Sequence, residues 1–127
     1  KGIRNKMNMV RSRFLSKMAT KIDRNLRGIR SCNMSFFKED LIKVNGFEEE
    51  IEGWGREDSE LAVRLFNIGC KKKKLKFEAL TCHLYHNEND RSRLKKNDEY
   101  LVEAIKSRKT MAKKGLDRYE GSNAGNN

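Results

Sequence analysis

Apolar residues recur every three or four positions from Ile3 through Met7, Val10, Phe14, Met18 and Ile22 to Leu26. That spacing draws one stripe along a helix and predicts a basic amphipathic helical segment over residues 1–27. Gly28 breaks the pattern, and residues 29–37 carry the β-branched and aromatic content of a short strand. Residues 35–44 read as a short capped helix closed by Asn45-Gly46, a pair suited to a left-handed stop. An acidic, glycine-bounded loop over 48–55 leads into a second helix over 57–67, where Leu61, Leu65 and Ile68 repeat at helical spacing before Gly69 ends it. The lysine run 71–74 then precedes two short strands over 75–77 and 80–85, a polar turn over 87–92 and a helix over 97–113. Residues 121–127 have the composition of a flexible tail. The mixture predicts an α/β fold, a small sheet flanked by helices, with one domain over 28–120.

Charge changes the picture at one end. Of the net +11, residues 1–30 supply +9, with ten Lys or Arg against Asp23 alone. A basic amphipathic segment suits an anionic membrane surface, a set of phosphates, or a partner domain that it covers. A nucleic-acid-binding module would interleave its bases with exposed aromatics, but Phe14 is the only aromatic there and falls on the apolar stripe, so nucleic acid is disfavoured as a partner. No apolar run reaches transmembrane length and no signal-peptide pattern is seen, which gives the expectation of a cytoplasmic chain. Cys32, Cys70 and Cys82 are odd in number and lack the C-x-x-C spacing, so reduced thiols in packing roles are expected.

The densest chemistry lies in residues 53–60, Gly-Trp-Gly-Arg-Glu-Asp-Ser-Glu. The Trp54 ring can stack on a pyranose, Gly53 and Gly55 permit close approach, and Glu57 and Asp58 can accept hydroxyl hydrogen bonds or a proton. The same residues also suit a helix N-terminus whose acids offset the dipole, with Trp54 as a core anchor. The residue types alone leave both readings open. With no proline to stiffen it, the loop carrying Trp54 is expected to move, as suits a site that closes over a sugar.

Several separated motifs stand in one order: Arg27-Gly28-Ile29-Arg30-Ser31-Cys32-Asn33-Met34-Ser35-Phe36, then Val44-Asn45-Gly46-Phe47, then the octapeptide, then Lys74-Leu75-Lys76-Phe77 and His83-Leu84-Tyr85-His86. This order resembles the C-terminal, acceptor-side part of GT-A family 2 glycosyltransferases, in particular bacterial ones sharing the C-terminal domain of the β-1,4-galactosyltransferases. The resemblance spans roughly residues 27–118 and is far more specific than any one motif. It implies an inverting, metal-dependent hexosyltransferase that moves sugar from a nucleotide-sugar donor to a saccharide acceptor hydroxyl, in bacterial surface polysaccharide synthesis. By the matching Trp-Gly-x-Glu-Asp motif, Asp58 is the implied base and Glu57 the acceptor ligand, with Trp54, Gly55 and Asn33 binding sugar.

The same resemblance implies His86 as a ligand for Mn²⁺ or Mg²⁺, with His83 second, at a position where the vertebrate enzymes carry methionine. Residues three apart on a flat strand face opposite sides, so both histidines reach one ion only if the chain bends between them. The chain has no Asp-x-Asp and no βαβ nucleotide unit. The implied protein is therefore the acceptor half of a longer enzyme that binds the nucleotide sugar through a missing N-terminal half. The fragment alone is expected to be inactive, and the implied location is cytoplasmic, peripheral at the inner membrane face through residues 1–27.

Overall fold

A computed structural model of the chain describes residues 10–79, 81 and 90–119. They form a small α/β domain of four helices and a two-stranded antiparallel sheet. They divide into two compact units, one from the Lys1–Asn25 and Lys71–His86 stretches and the other from the Leu26–Cys70 and Asn87–Asn127 stretches. The lysine run pairs with the N-terminal segment, which is why both fall in the first unit.

In the first unit, helix α1 spans Arg13–Ala19 and is capped by Ser12, whose Oγ accepts from Leu15 N at 3.3 Å. Thr20 turns extended and strand β1 follows at Lys21–Asp23. The helix expected over 1–27 is therefore only two turns long in the described part, since the β-branched Thr20 and Ile22 favour the extended ribbon; residues 1–9 lie outside the described residues. Strand β2 is the lysine run itself, Lys72–Lys74, paired antiparallel with Lys21 opposite Lys74, Ile22 opposite Lys73 and Asp23 opposite Lys72. The expected strand at 75–77 does not form, and Phe77 takes a φ of 64°. That turn is tied back to α1, because Ser12 N donates to Phe77 O at 3.0 Å and the buried Ser16 donates to Glu78 Oε2 at 2.9 Å. The expected strand over 80–85 lies outside the described residues apart from Thr81.

In the second unit, the strand expected over 29–37 is instead a 3-10 turn at Ser31–Asn33 flanked by extended residues, and among the described residues no strand pairs with it. Cys32 is exposed there, against the expectation of packing, while Cys70 does pack against the core; Cys82 lies outside the described residues. Helix α2 covers Lys38–Lys43, with Glu39 and Asp40 in its first turn and Lys43 in its last, as the helix dipole favours. It stops where expected, since Asn45 and Gly46 take φ of 61° and 68° and Gly46 N returns to Leu41 O at 2.8 Å.

Helix α3 spans Glu57–Asn67 and places Leu61 and Leu65 against Val44, with Phe36, Leu41, Ile68 and Cys70 around them. Burying each such aliphatic side chain stabilises the fold by about 1.5–3 kcal/mol. Arg64, fully buried on the same helix, is held by Glu60 one turn earlier (Nη2 to Oε2 2.8 Å) and donates to Val44 O. A buried charge costs heavily without a partner, and this guanidinium has both a carboxylate and a carbonyl.

Helix α4, Leu94–Lys106, packs on α3. It ends earlier than the expected residue 113 because Arg108 turns left-handed (φ 51°) and Lys109 N returns to Ala104 O. The chain beyond it becomes a strap on residues 44–49: Ala112 N donates to Val44 O, Leu116 N to Asn45 O, and Glu49 N to Lys114 O. Glu48, buried, fastens the strap by accepting from Lys109 Nζ at 2.9 Å and Lys113 N at 2.7 Å. Burial pushes the Glu48 carboxyl up, but the hydrogen bonds from Lys109 and Lys113 outweigh it and hold it below its ordinary 4.5. Asp117 is likewise held below 3.8, chiefly by the Asn45 side-chain amide.

Groups with depressed folded pKa values contribute stability above their unfolded values and lose it as pH falls through the folded ones. The thermal midpoint is therefore expected to hold from neutrality to near pH 4.5 and to drop below it, with a shallower acid slope in Glu48→Gln. Melts followed by circular dichroism down to about pH 3 check this.

Candidate functional site

The loop before α3 must reverse the chain so that the helix begins at Glu57. It does so through Gly55, whose φ of 100° favours glycine and where a Cβ would come within 2.9 Å of Leu94 Cδ1. Arg56 follows with a φ of 79°, an arrangement that costs a non-glycine residue of order 1 kcal/mol or more. It is held there by an ion pair from its Nε to Asp98 Oδ1 at 2.5 Å.

What fixes the loop is Asn97, on α4 and only 1 % exposed. Its Nδ2 donates to the carbonyls of Gly55 (3.0 Å), Glu52 (3.1 Å) and, more weakly, Trp54 (3.4 Å). The loop is thus anchored to a helix, where the sequence suggested freedom to move. Arg93 adds an ion pair to Glu52.

Trp54 is 39 % exposed and so is not a core anchor. The Arg91 guanidinium lies 4.6 Å from the ring centroid, a cation–π contact that occupies one face. A shallow cleft of about 300 Å³ opens beside it, lined by Gly53, Trp54, Asp90, Ser92 and Arg93. That volume is at the small end of ligand sites. Its far wall is shaped by Asp90, which accepts from Ser92 N at 2.9 Å and from Ser92 Oγ at 2.5 Å; the Ser92 hydroxyl foremost, then its N–H, hold the carboxyl below 3.8.

Glu57 and Asp58 open α3 with Glu60, where the helix dipole favours acids. Neither lines the cleft. Glu57 Oε2 is shut from solvent with no hydrogen-bond partner among the described residues, a state the dipole alone does not explain. Asp58 accepts from Ser59 Oγ at 3.2 Å and from Ser31 N at 3.3 Å, which brings the 3-10 turn holding Asn33 beside it. Asn33 is exposed in that turn. The structure thus gathers Asp58 with the 31–33 turn, and Trp54 and Gly53 with the 90–93 segment. His83 and His86 lie outside the described residues, and among the described residues no three His, Cys, Asp or Glu side chains are grouped to hold an ion.

Sequence reasoning missed Asn97, Arg91 and Arg93. Asn97 carried a signal: it is a poor helix former lying in line with Leu94, Leu101 and Ala104 on the buried stripe of α4. The two arginines carried none, since they read as ordinary solvated charges.

Residues 11–88 match the model of a family described as the N-terminal domain of galactosyltransferase. The motif order resembled the C-terminal part of such enzymes, and the two agree at the level of galactosyltransferase. Over 41 residues the chain is 54 % identical to a chondroitin synthase of Pasteurella multocida (strain Pm70), a stretch covering 32 % of this chain and 4 % of that protein. The chain thus spans a small part of the length of this relative. No solved structure matches it.

Proposed function

The chain belongs to this galactosyltransferase family, and from that membership we propose that it forms the acceptor-side portion of an inverting hexosyltransferase. The acceptor is a saccharide and the donor a nucleotide sugar bound by a further part of the enzyme. The observation that carries the reading is the hydrogen bond from Ser31 N to Asp58, which joins two motifs 27 residues apart beside the Trp54 loop. The name of the relative, a chondroitin synthase, supports polysaccharide synthesis as the setting. We place that synthesis at a bacterial surface polysaccharide, with the enzyme working on the cytoplasmic side.

In this mechanism Asp58 takes the proton of the acceptor hydroxyl as that oxygen attacks the anomeric carbon. Glu57 accepts a hydrogen bond from a neighbouring acceptor hydroxyl. Trp54 offers the ring face away from Arg91 to the sugar, and the loop that carries it is held by Asn97 so that little order has to be gained on binding. Gly55 keeps the backbone low beside the acceptor and Asn33 contributes from the facing turn. A divalent ion, Mn²⁺ or Mg²⁺, would neutralise the leaving diphosphate, with His86 and then His83 as its ligands from this chain. Among the described residues no group of three His, Cys, Asp or Glu side chains forms an ion site.

Trp54→Ala in the complete enzyme tests the reading. Losing an aromatic stacking surface is expected to raise the acceptor KM by about tenfold while kcat changes less and the melting temperature stays within a few degrees. An unchanged KM together with a markedly lowered melting temperature would make Trp54 a structural residue and remove the acceptor site from this loop.

A further inference from the structure

The first unit carries charge that its own fold does not use. Residues 10–25 and 71–79 hold ten Lys or Arg against Asp23 and Glu78, a net +8. Asp23 pairs with Lys72 at 3.3 Å and Glu78 accepts from Ser16. Arg13, Lys17, Lys21, Lys73 and Lys74 are all exposed, and none has an ion pair among the described residues. The ribbon even sets two of them against each other, because Lys21 and Lys74 are direct cross-strand partners on one face. Like charges in that position destabilise a ribbon. An anionic surface laid on it removes the penalty.

Apolar side chains stand exposed among these bases. On α1, Phe14 and Met18 are one turn apart and 71 % and 74 % exposed, next to the Arg13–Lys17 pair at the same spacing. Ile22, on the ribbon, is 62 % exposed and has Lys73 opposite it. Bare aliphatic and aromatic tips set in a basic field match the boundary of an anionic bilayer, where the tips enter the acyl region and the ammonium and guanidinium groups meet phosphate. Single-stranded nucleic acid calls for several aromatic platforms, and Met18 and Ile22 offer none. A second copy of the chain is disfavoured by the repulsion of two +8 faces.

We propose that this unit, through α1 and the β1–β2 ribbon, docks the protein on an anionic phospholipid surface. The docking does not depend on the assignment of Asp58 or Trp54.

The test is co-sedimentation of the 127-residue chain with vesicles of phosphatidylcholine alone or mixed with phosphatidylserine. The chain is expected to partition onto the mixed vesicles, to leave the pure phosphatidylcholine ones, and to be released as salt rises from about 0.1 M to about 0.5 M. Lys74→Glu is expected to weaken partitioning by about fivefold or more. It puts a carboxylate opposite Lys21 in exchange for the attraction of Lys74 to Asp23, and a circular-dichroism melt of the variant checks that the unit stays folded. Phe14→Ala combined with Met18→Ala is expected to weaken it by about tenfold. These side chains are mostly in solvent, so their removal leaves the fold in place. Equal partitioning on both vesicle types, or indifference to all these substitutions, would overturn the proposal. So would displacement from the vesicles by a DNA oligonucleotide at equal phosphate, or a dimer that Phe14→Ala abolishes.

Discussion

Asp58→Asn in the complete enzyme is expected to lower sugar transfer by about two to four orders of magnitude while binding of the nucleotide sugar persists. The amide keeps the size and one oxygen, which can still accept from Ser31 N in place of Oδ2 (3.3 Å); its NH₂ takes the place of Oδ1, where the Ser59 hydroxyl (3.2 Å) can turn to accept instead of donate, so the 31–33 turn stays in place. What is lost is the capacity to take a proton from the acceptor hydroxyl as its oxygen becomes a nucleophile. A barrier increase of about 3–5 kcal/mol corresponds to that range, since about 1.4 kcal/mol is tenfold. The diagnostic feature is its place in the rate law: kcat falls and acceptor KM moves little, because the hydroxyl is still hydrogen-bonded in the ground state. The companion variant Glu57→Gln is expected to act mainly on KM. Steady-state kinetics with donor and acceptor varied separately distinguish the two, and near-normal turnover of Asp58→Asn would end its assignment as base.

The second large effect is structural and falls on a residue that touches no substrate. Asn97→Ala removes one amide from a buried position and leaves the carbonyls of Glu52 and Gly55 without their donor. Unsatisfied buried carbonyls cost about 1–3 kcal/mol each, less whatever water recovers, so a loss of about 2–4 kcal/mol is expected. For a domain of this size that lowers the melting temperature by roughly 8 °C or more. Asn97→Asp is expected to be worse than alanine, because a carboxylate would then face three carbonyl oxygens. In the complete enzyme both variants also raise the acceptor KM, since the loop presenting Trp54 is no longer held. Equal stability of wild type and Asn97→Ala would show that the amide does not anchor this loop.

Helix α3 was legible to the residue, from Glu57 to Asn67, because its apolar period, acidic first turn and terminal glycine all agreed. The stop at Asn45-Gly46 was legible for the same reason, since the residue types that tolerate a left-handed backbone are few. The N-terminal segment misled because a helical apolar stripe can continue in sequence after the chain has left the helix: Ile22 keeps the period yet sits in a strand. Lys72–Lys74 was not legible as a strand, as lysine has little β preference and its partner lies some fifty residues away. The chain end was misjudged because helix propensity continues past Lys106, and the strap over residues 44–49 is decided by tertiary bonds to Glu48 and Asn45.

Of the candidate site, the identities of Trp54, Glu57 and Asp58 stood out by motif, and the position of Gly55 by its turn. Their support did not, because Asn97 and Arg91 come from a segment more than thirty residues downstream and meet the loop only after α4 packs on α3.

The most direct measurement is a crystal structure of the complete enzyme with its acceptor saccharide bound. The account predicts a sugar ring on the face of Trp54 away from Arg91, with the reacting hydroxyl oxygen about 2.6–3.2 Å from an Asp58 carboxylate oxygen and a neighbouring hydroxyl on Glu57. An acceptor whose reacting hydroxyl lies out of reach of Asp58, with that carboxylate still engaged by Ser31 N and Ser59 Oγ alone, would contradict it.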